Sequence, residues 1–183
     1  MKNFIKPMEG TNSKRYFWVL LCFCFLSPQP LSAKRPTVQM LGTWEIAPAI
    51  EICTSMAEYT SEITAAVAYW QNLGWEIGPI EQQQEGSVCE TGSVYGYIVI
   101  DRMPAEQRHS RHQGVTYLYV NSESNVGWAK TKLNLPPRER ILEHEIGHAL
   151  GFPHIDRPNH LMNPIWERGG WSSESLRYSD ILR

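Results

Sequence analysis

The 183-residue sequence is short of several things, and each shortage excludes something. It has only 4 cysteines, too few for a small scaffold held together by disulfides. It lacks an excess of either charge, with 17 Lys and Arg against 19 Asp and Glu. The basic residues are scattered rather than massed on one stretch. The chain therefore carries no electrostatic footprint for nucleic acid and no charged tail. It also lacks a long hydrophobic run. The apolar stretch from Tyr16 to Leu26 falls well below the roughly 20 residues that a bilayer-spanning helix needs. Repeats and low-complexity tracts are absent. What remains is ordinary globular composition, 42% hydrophobic and 20% charged, with length for one domain.

The N-terminus reads as a processing signal. Lys14-Arg15 supplies a basic start, Tyr16 to Leu26 an apolar run, and Leu31-Ser32-Ala33 a small-residue exit. This order predicts a secretory signal over residues 1–33 and a working domain over 34–183, exported to the periplasm or the extracellular space. The alternative is a membrane anchor, disfavoured by the length of the run. Two cysteines then remain, Cys53 and Cys89. In an oxidising compartment they are expected to form a disulfide. Two buried thiols, or a regulatory thiolate on a metal, are the alternatives.

Apolar residues at Met56, Tyr59, Ile63, Ala66, Val67 and Trp70 recur at helical spacing behind a capping-box form, Ser55 to Glu58. They predict a helix over Met56–Leu73, stopped by Gly74. Residues 38–46 suit a first strand or an arm, and 75–80 a short strand. Val94–Ile100 and Val115–Val120 read as buried strands, and Val126–Leu133 as a third, shorter one. Pro136-Pro137 precedes a helix over Arg138–Leu150, closed by Gly151. A short closing helix is expected within Ser172–Leu182. Strands clustered between two main helices give an α/β chain.

One stretch carries chemistry: His144-Glu145-Ile146-Gly147-His148, then Gly151 and His154. His144 and His148 stand four apart, so both imidazoles leave one face of a helix. Gly151 permits a reversal that returns His154 to the same place. Three histidines and an open position are what a catalytic zinc ion requires. Glu145 stands beside the ligands rather than among them, which suits a general base toward metal-activated water. One zinc ion is expected, held by His144, His148 and His154.

The pattern His-Glu-x-x-His-x-x-Gly-x-x-His resembles that of the metzincin zinc peptidases. Asn159-His160-Leu161-Met162-Asn163-Pro164 follows, and its Leu-Met-x-Pro form is similar to the matrixin branch. The resemblance is carried by residues 143–164; Ile155 stands where matrixins usually have Ser. It implies that Met162 is a turn methionine, a hydrophobic floor and not a ligand. It implies a twisted, mostly parallel sheet with a backing helix, an active-site helix and a small C-terminal subdomain. It also implies a secreted endopeptidase whose edge strand, assigned to Gly127-Trp128-Ala129, pairs with an extended peptide or protein substrate. Trp166 and Trp171 fall where the family builds a substrate pocket.

Two rivals belong to other classes. One is a catalytically silent zinc-containing binding protein, which the presence of Glu145 disfavours. The other is a zinc hydrolase of a non-peptide amide. A separate proteinaceous inhibitor is a further expected partner; a stable membrane anchor is not expected. His109 and His112 are read as solvated loop residues, His160 as a residue behind the ligands or at the surface, and Asp156 as a hydrogen-bond partner of a ligand imidazole.

Overall fold

The computed structural model describes residues 38–83, 88–91, 93–108 and 112–181. The signal assigned to 1–33 and His109 lie outside the described residues. Among the described residues no helix is long and apolar enough to cross a membrane.

The interior begins with short apolar strands. β3 (Tyr97–Arg102) buries Ile98, Val99 and Ile100 in succession, as a strand covered on both faces must. β1 (Ala49–Ile52) lies parallel to β3 on one side and to β2 (Ile80–Gln82) on the other. β5 (Val126–Leu133) lies parallel to the far side of β3, and β4 (Gly114–Val120) closes the sheet antiparallel to β5. The order is β2-β1-β3-β5-β4, a five-stranded and mostly parallel sheet. With its helices this makes an α/β architecture, as the sequence led one to expect.

Four readings of the strands change. β1 was not anticipated, because four residues are too few to show a period. β4 is not a buried strand but the sheet edge, and Tyr117 and Tyr119 stand exposed on it. The edge assigned to Gly127-Trp128-Ala129 is interior: Ala129 is registered with Ile98 on one side, and Trp128 with Tyr119 on the other. Neighbouring strands already use that backbone. The strand expected over 75–80 pairs only from Ile80 onward, after Pro79, which has no N–H to donate.

The helices are shorter than their patterns suggested. Residues 54–59 form a 3-10 turn, and α1 runs over Thr60–Asn72. The expected capping box does not form; the Ser55 hydroxyl donates to Asp101 Oδ1 at 2.7 Å instead. α1 buries Ile63, Ala66, Val67 and Trp70, the i, i+3, i+4, i+7 face, in one core with Ile50, Ile98 and Ile100. α3 (Ile141–Ala149) joins the same core through Ile146 and Ala149. The Trp70 indole N–H donates to Glu143 O at 2.8 Å, tying α1 to the first turn of α3. Of the closing helix expected within Ser172–Leu182, the described residues are helical over α4 (Tyr178–Ile181). Ser175 has φ +64° and cannot continue a helix, while Leu176 is fully buried and its carbonyl accepts from Trp75 Nε1 at 2.7 Å.

Cys53, at the end of β1, is bonded to Cys89 in α2 (Val88–Thr91). The bond closes a loop across 36 residues that contains α1 and β2. On the chain-entropy account, opening it costs about 3–4 kcal/mol. Replacing both cysteines by serine is expected to lower the urea-unfolding free energy by that amount. A loss below about 1 kcal/mol would show that the crosslink does not constrain the unfolded chain.

Candidate metal centre

α3 starts at Arg140, whose φ of +70° turns the incoming chain sharply into the helix. From there the four-residue step sets His144 and His148 on one face, 4.7 Å apart between ring centroids. The helix ends at Gly151, with φ +101°. A β-carbon there would also collide with the Gly42 carbonyl, so both backbone shape and space demand glycine. Past this reversal the chain brings the His154 ring to 4.6 Å from that of His148. One ligand atom from each of the three histidines lies within 4.8 Å of the others, close enough to bind one metal ion.

Hydrogen bonding decides what these rings offer. His144 Nδ1 is 2.7 Å from the Leu161 carbonyl, and His148 Nδ1 is 2.7 Å from the Phe152 carbonyl. A carbonyl oxygen only accepts, so each Nδ1 carries the proton and donates it. Each Nε2 is then a bare lone pair. The two Nε2 atoms face each other at 3.1 Å. Two lone pairs at that distance repel unless a cation lies between them. Two nitrogens that bind zinc at about 2.0–2.1 Å in a roughly tetrahedral arrangement stand slightly over 3 Å apart, so the spacing fits. The carbonyl partners are the outer bonds that ligating histidines ordinarily need.

Burial holds the rings neutral. Desolvation lowers the His144 pKa to about 4, against a raising bond to Leu161 O. Desolvation, then the neighbouring His144, lowers that of His148 to about 3. His154 is lowered by the same cause.

Glu145 is buried one residue along the helix, on the side of β4. Thr116 Oγ1 donates to its Oε2 at 2.7 Å. Thr116 has one proton, so the 2.9 Å contact between Thr116 and the fully buried Thr131 must run from Thr131 to Thr116. Desolvation raises the Glu145 pKa to about 7, and the Thr116 bond pulls it back. A β-carbon on Gly114 would lie 2.6 Å from Glu145 Oε1, so only glycine leaves room for the carboxylate. Thr116 and Gly114 escaped sequence reading. Their signal, a Gly and a Thr two apart in an otherwise aromatic and aliphatic strand, is weak on its own.

Met162 is fully buried, with its sulfur 2.6 Å from where a β-carbon on Gly147 would stand. It packs on α3 against Gly147. His160, one of whose expected places was the surface, is fully buried. Its Nδ1 accepts from the Met162 N–H at 3.0 Å, so its Nε2 carries the proton that goes to Glu174 O at 2.9 Å. It braces the turn from behind. Asp156 does not reach an imidazole; it pairs with Arg168 at 3.4 Å, since backbone carbonyls already hold the ligand rings. Trp171 packs on Tyr69, whereas Trp166 lines the cleft above the histidines. His112 lines that cleft too. The cleft has a volume of about 880 Å³ and is walled by β4, α3 and residues 163–169. A scan against protein-family models returned no match, and a search of curated proteins returned none of significance.

The buried rings bear on the metal-free protein. Unfolded histidines protonate near pH 6.5, while folded His144 and His148 wait until about 4 and about 3. The unfolded state therefore takes up more protons as pH falls below about 6.5, and stability drops. Glu145 acts oppositely between about 4.5 and about 7, where only the folded state keeps its proton. The apo-protein is thus expected to lose stability on acidification from about pH 6.5 to about 3, the range over which the two buried histidines lag their unfolded counterparts. Urea melts on the apo-protein at half-unit steps check this; a flat profile from pH 6.5 to 3 would contradict the buried neutral rings.

Proposed function

We propose that this chain is a secreted zinc-dependent endopeptidase. The observation that carries the reading is the pair of Nε2 lone pairs converging at 3.1 Å with both Nδ1 protons committed elsewhere. That donor set suits a cation, and three neutral imidazoles suit zinc. The resemblance of residues 144–154 to the metzincin pattern supports the same reading, as does the open side of the histidine cluster toward the cleft.

Bound there, zinc would polarise a carbonyl oxygen and make a water molecule acidic. The chain's own residues do the rest. Glu145 Oε2 is held by Thr116, and among the described residues nothing donates to Oε1. That free oxygen takes the proton of the attacking water and delivers it to the leaving amine. A carboxyl whose pKa sits near neutrality both accepts and releases a proton at modest cost. The exposed edge of β4 borders the cleft, and an extended peptide can add to it as a further strand. The assignment of that role to β4 replaces the one given to residues 127–129.

The test is direct. The purified protein is expected to hold one zinc per chain and to cleave a mixed peptide pool in a chelator-sensitive way. Glu145→Ala should keep the metal and lose about 10²–10⁴ in kcat. Gly114→Ala, which pushes the same carboxylate aside, should keep the metal and lose at least about tenfold. Zinc without any cleavage would favour the silent binding protein; a folded chain without zinc ends the proposal.

A further inference from the structure

The wall of the cleft on the side of Trp166 is positively charged in a way the proposed hydrolysis does not use. Arg138 and Arg140 come from the loop entering α3. Both guanidinium groups lie over the Trp166 ring, at 5.0 Å and 5.3 Å from its centroid. Trp166 itself is fixed, since its indole N–H donates to Glu139 O at 3.2 Å. The loop before it is fixed by Asn163, whose Nδ2 donates to Arg157 O and whose Oδ1 accepts from Ile165 N–H. A guanidinium held over an aromatic ring by its charge keeps N–H donors for a further partner. Among the described residues, neither arginine forms an ion pair or a side-chain hydrogen bond. Acidic groups do stand nearby. Glu139 and Glu143 stand beside Arg140 in sequence, and Glu167 lines the same cleft; Glu143 feels the Arg140 charge, yet no carboxylate among the described residues closes to ion-pair distance on either arginine.

Two arginines held over one ring in this cleft, with no ion pair among the described residues, fit one ligand group, a carboxylate, which a guanidinium binds through two parallel hydrogen bonds. Apolar Ile141, Leu161 and Ile165 line the approach, which suits a carboxylate carried on a short aliphatic stem. Resting on the endopeptidase reading, we propose that Arg138 and Arg140 select substrates with a carboxylate close to the cleaved bond. It is supplied by an acidic side chain or by the free C-terminus of a peptide.

Matched peptides separate these sources. Each carries Glu or Gln at one of the three positions on either side of the bond, with a free or an amidated C-terminus. Wild-type protein is expected to show, at one position, a roughly tenfold lower kcat/KM for Gln than for Glu. A comparable loss on amidation alone assigns the carboxylate to the chain terminus. Arg138→Glu should turn the preference toward Lys at the same position, a gain that a misfolded variant cannot produce. Arg138→Met, at an exposed position, should weaken the preference, and Arg138→Met with Arg140→Met should abolish it. A second readout needs no turnover: Glu145→Ala should bind the Glu peptide roughly tenfold more tightly than the Gln peptide, less so in about 0.5 M salt. Indifference to Glu, Gln and amidation in both assays overturns the proposal, as does a preference that survives loss of both arginines. Chelator-sensitive cleavage without preference sinks this inference alone; carboxylate-selective binding without any cleavage sinks the endopeptidase reading and with it the substrate role, and leaves only a carboxylate-binding site at the two arginines.

Discussion

Everything at the candidate metal centre depends on two backbone carbonyls. Leu161 O and Phe152 O take the Nδ1 protons of His144 and His148 and thereby aim two lone pairs at one point. Neither carbonyl belongs to α3. Phe152 lies beyond the glycine reversal, and Leu161 lies in the turn that carries Met162. The electronic state of the site is thus set by segments outside the helix, and their placement by packing. Phe152 stacks on Trp70 at 5.3 Å, and the Ile155 N–H donates to Met162 O at 2.8 Å.

The proposed acid–base group is built from the other side of the cleft. Glu145 leaves the same helix as the histidines, yet its carboxylate is positioned by the edge strand. Thr131 donates to Thr116, Thr116 donates to Glu145, and Gly114 leaves the space. The edge strand therefore has two jobs in the proposed reaction. One strand fixes the base and offers its free backbone to an extended chain, so substrate and base share a frame. Desolvation of the carboxylate follows from the same docking of β4 on α3.

How much of this the sequence carried depends on whether the signal was local. The three histidines, Glu145 and Gly151 fall within a single short stretch, and helical geometry alone brings most of them together. Strand β5 was read with its observed bounds, because its alternation is long enough to count. β1 was missed at four residues, and the order of strands in the sheet is written nowhere in a linear pattern. That is why the edge fell on the wrong strand. Helix ends failed where tertiary partners intervened, as when Ser55 bonded Asp101 in place of the helix N-terminus. Thr116, Gly114 and the pair of arginines over Trp166 were invisible for one reason: each acts on a residue distant in sequence.

The compactness of the ligand set has a consequence for the order of assembly. The three imidazoles are separated by one helical turn and one tight reversal, so the entropy of bringing them together is small. The parallel pairing of β1 with β3 joins segments far apart in the chain, with Ala49 opposite Tyr97, and such non-local pairing is slow. A nascent chain can therefore gather its histidines before its sheet is complete. The carboxylate of Glu145 has no defined place until β4 arrives. In the proposed enzyme, capture of the ion and competence for hydrolysis are thus separated in time, because the proposed base waits for the edge strand.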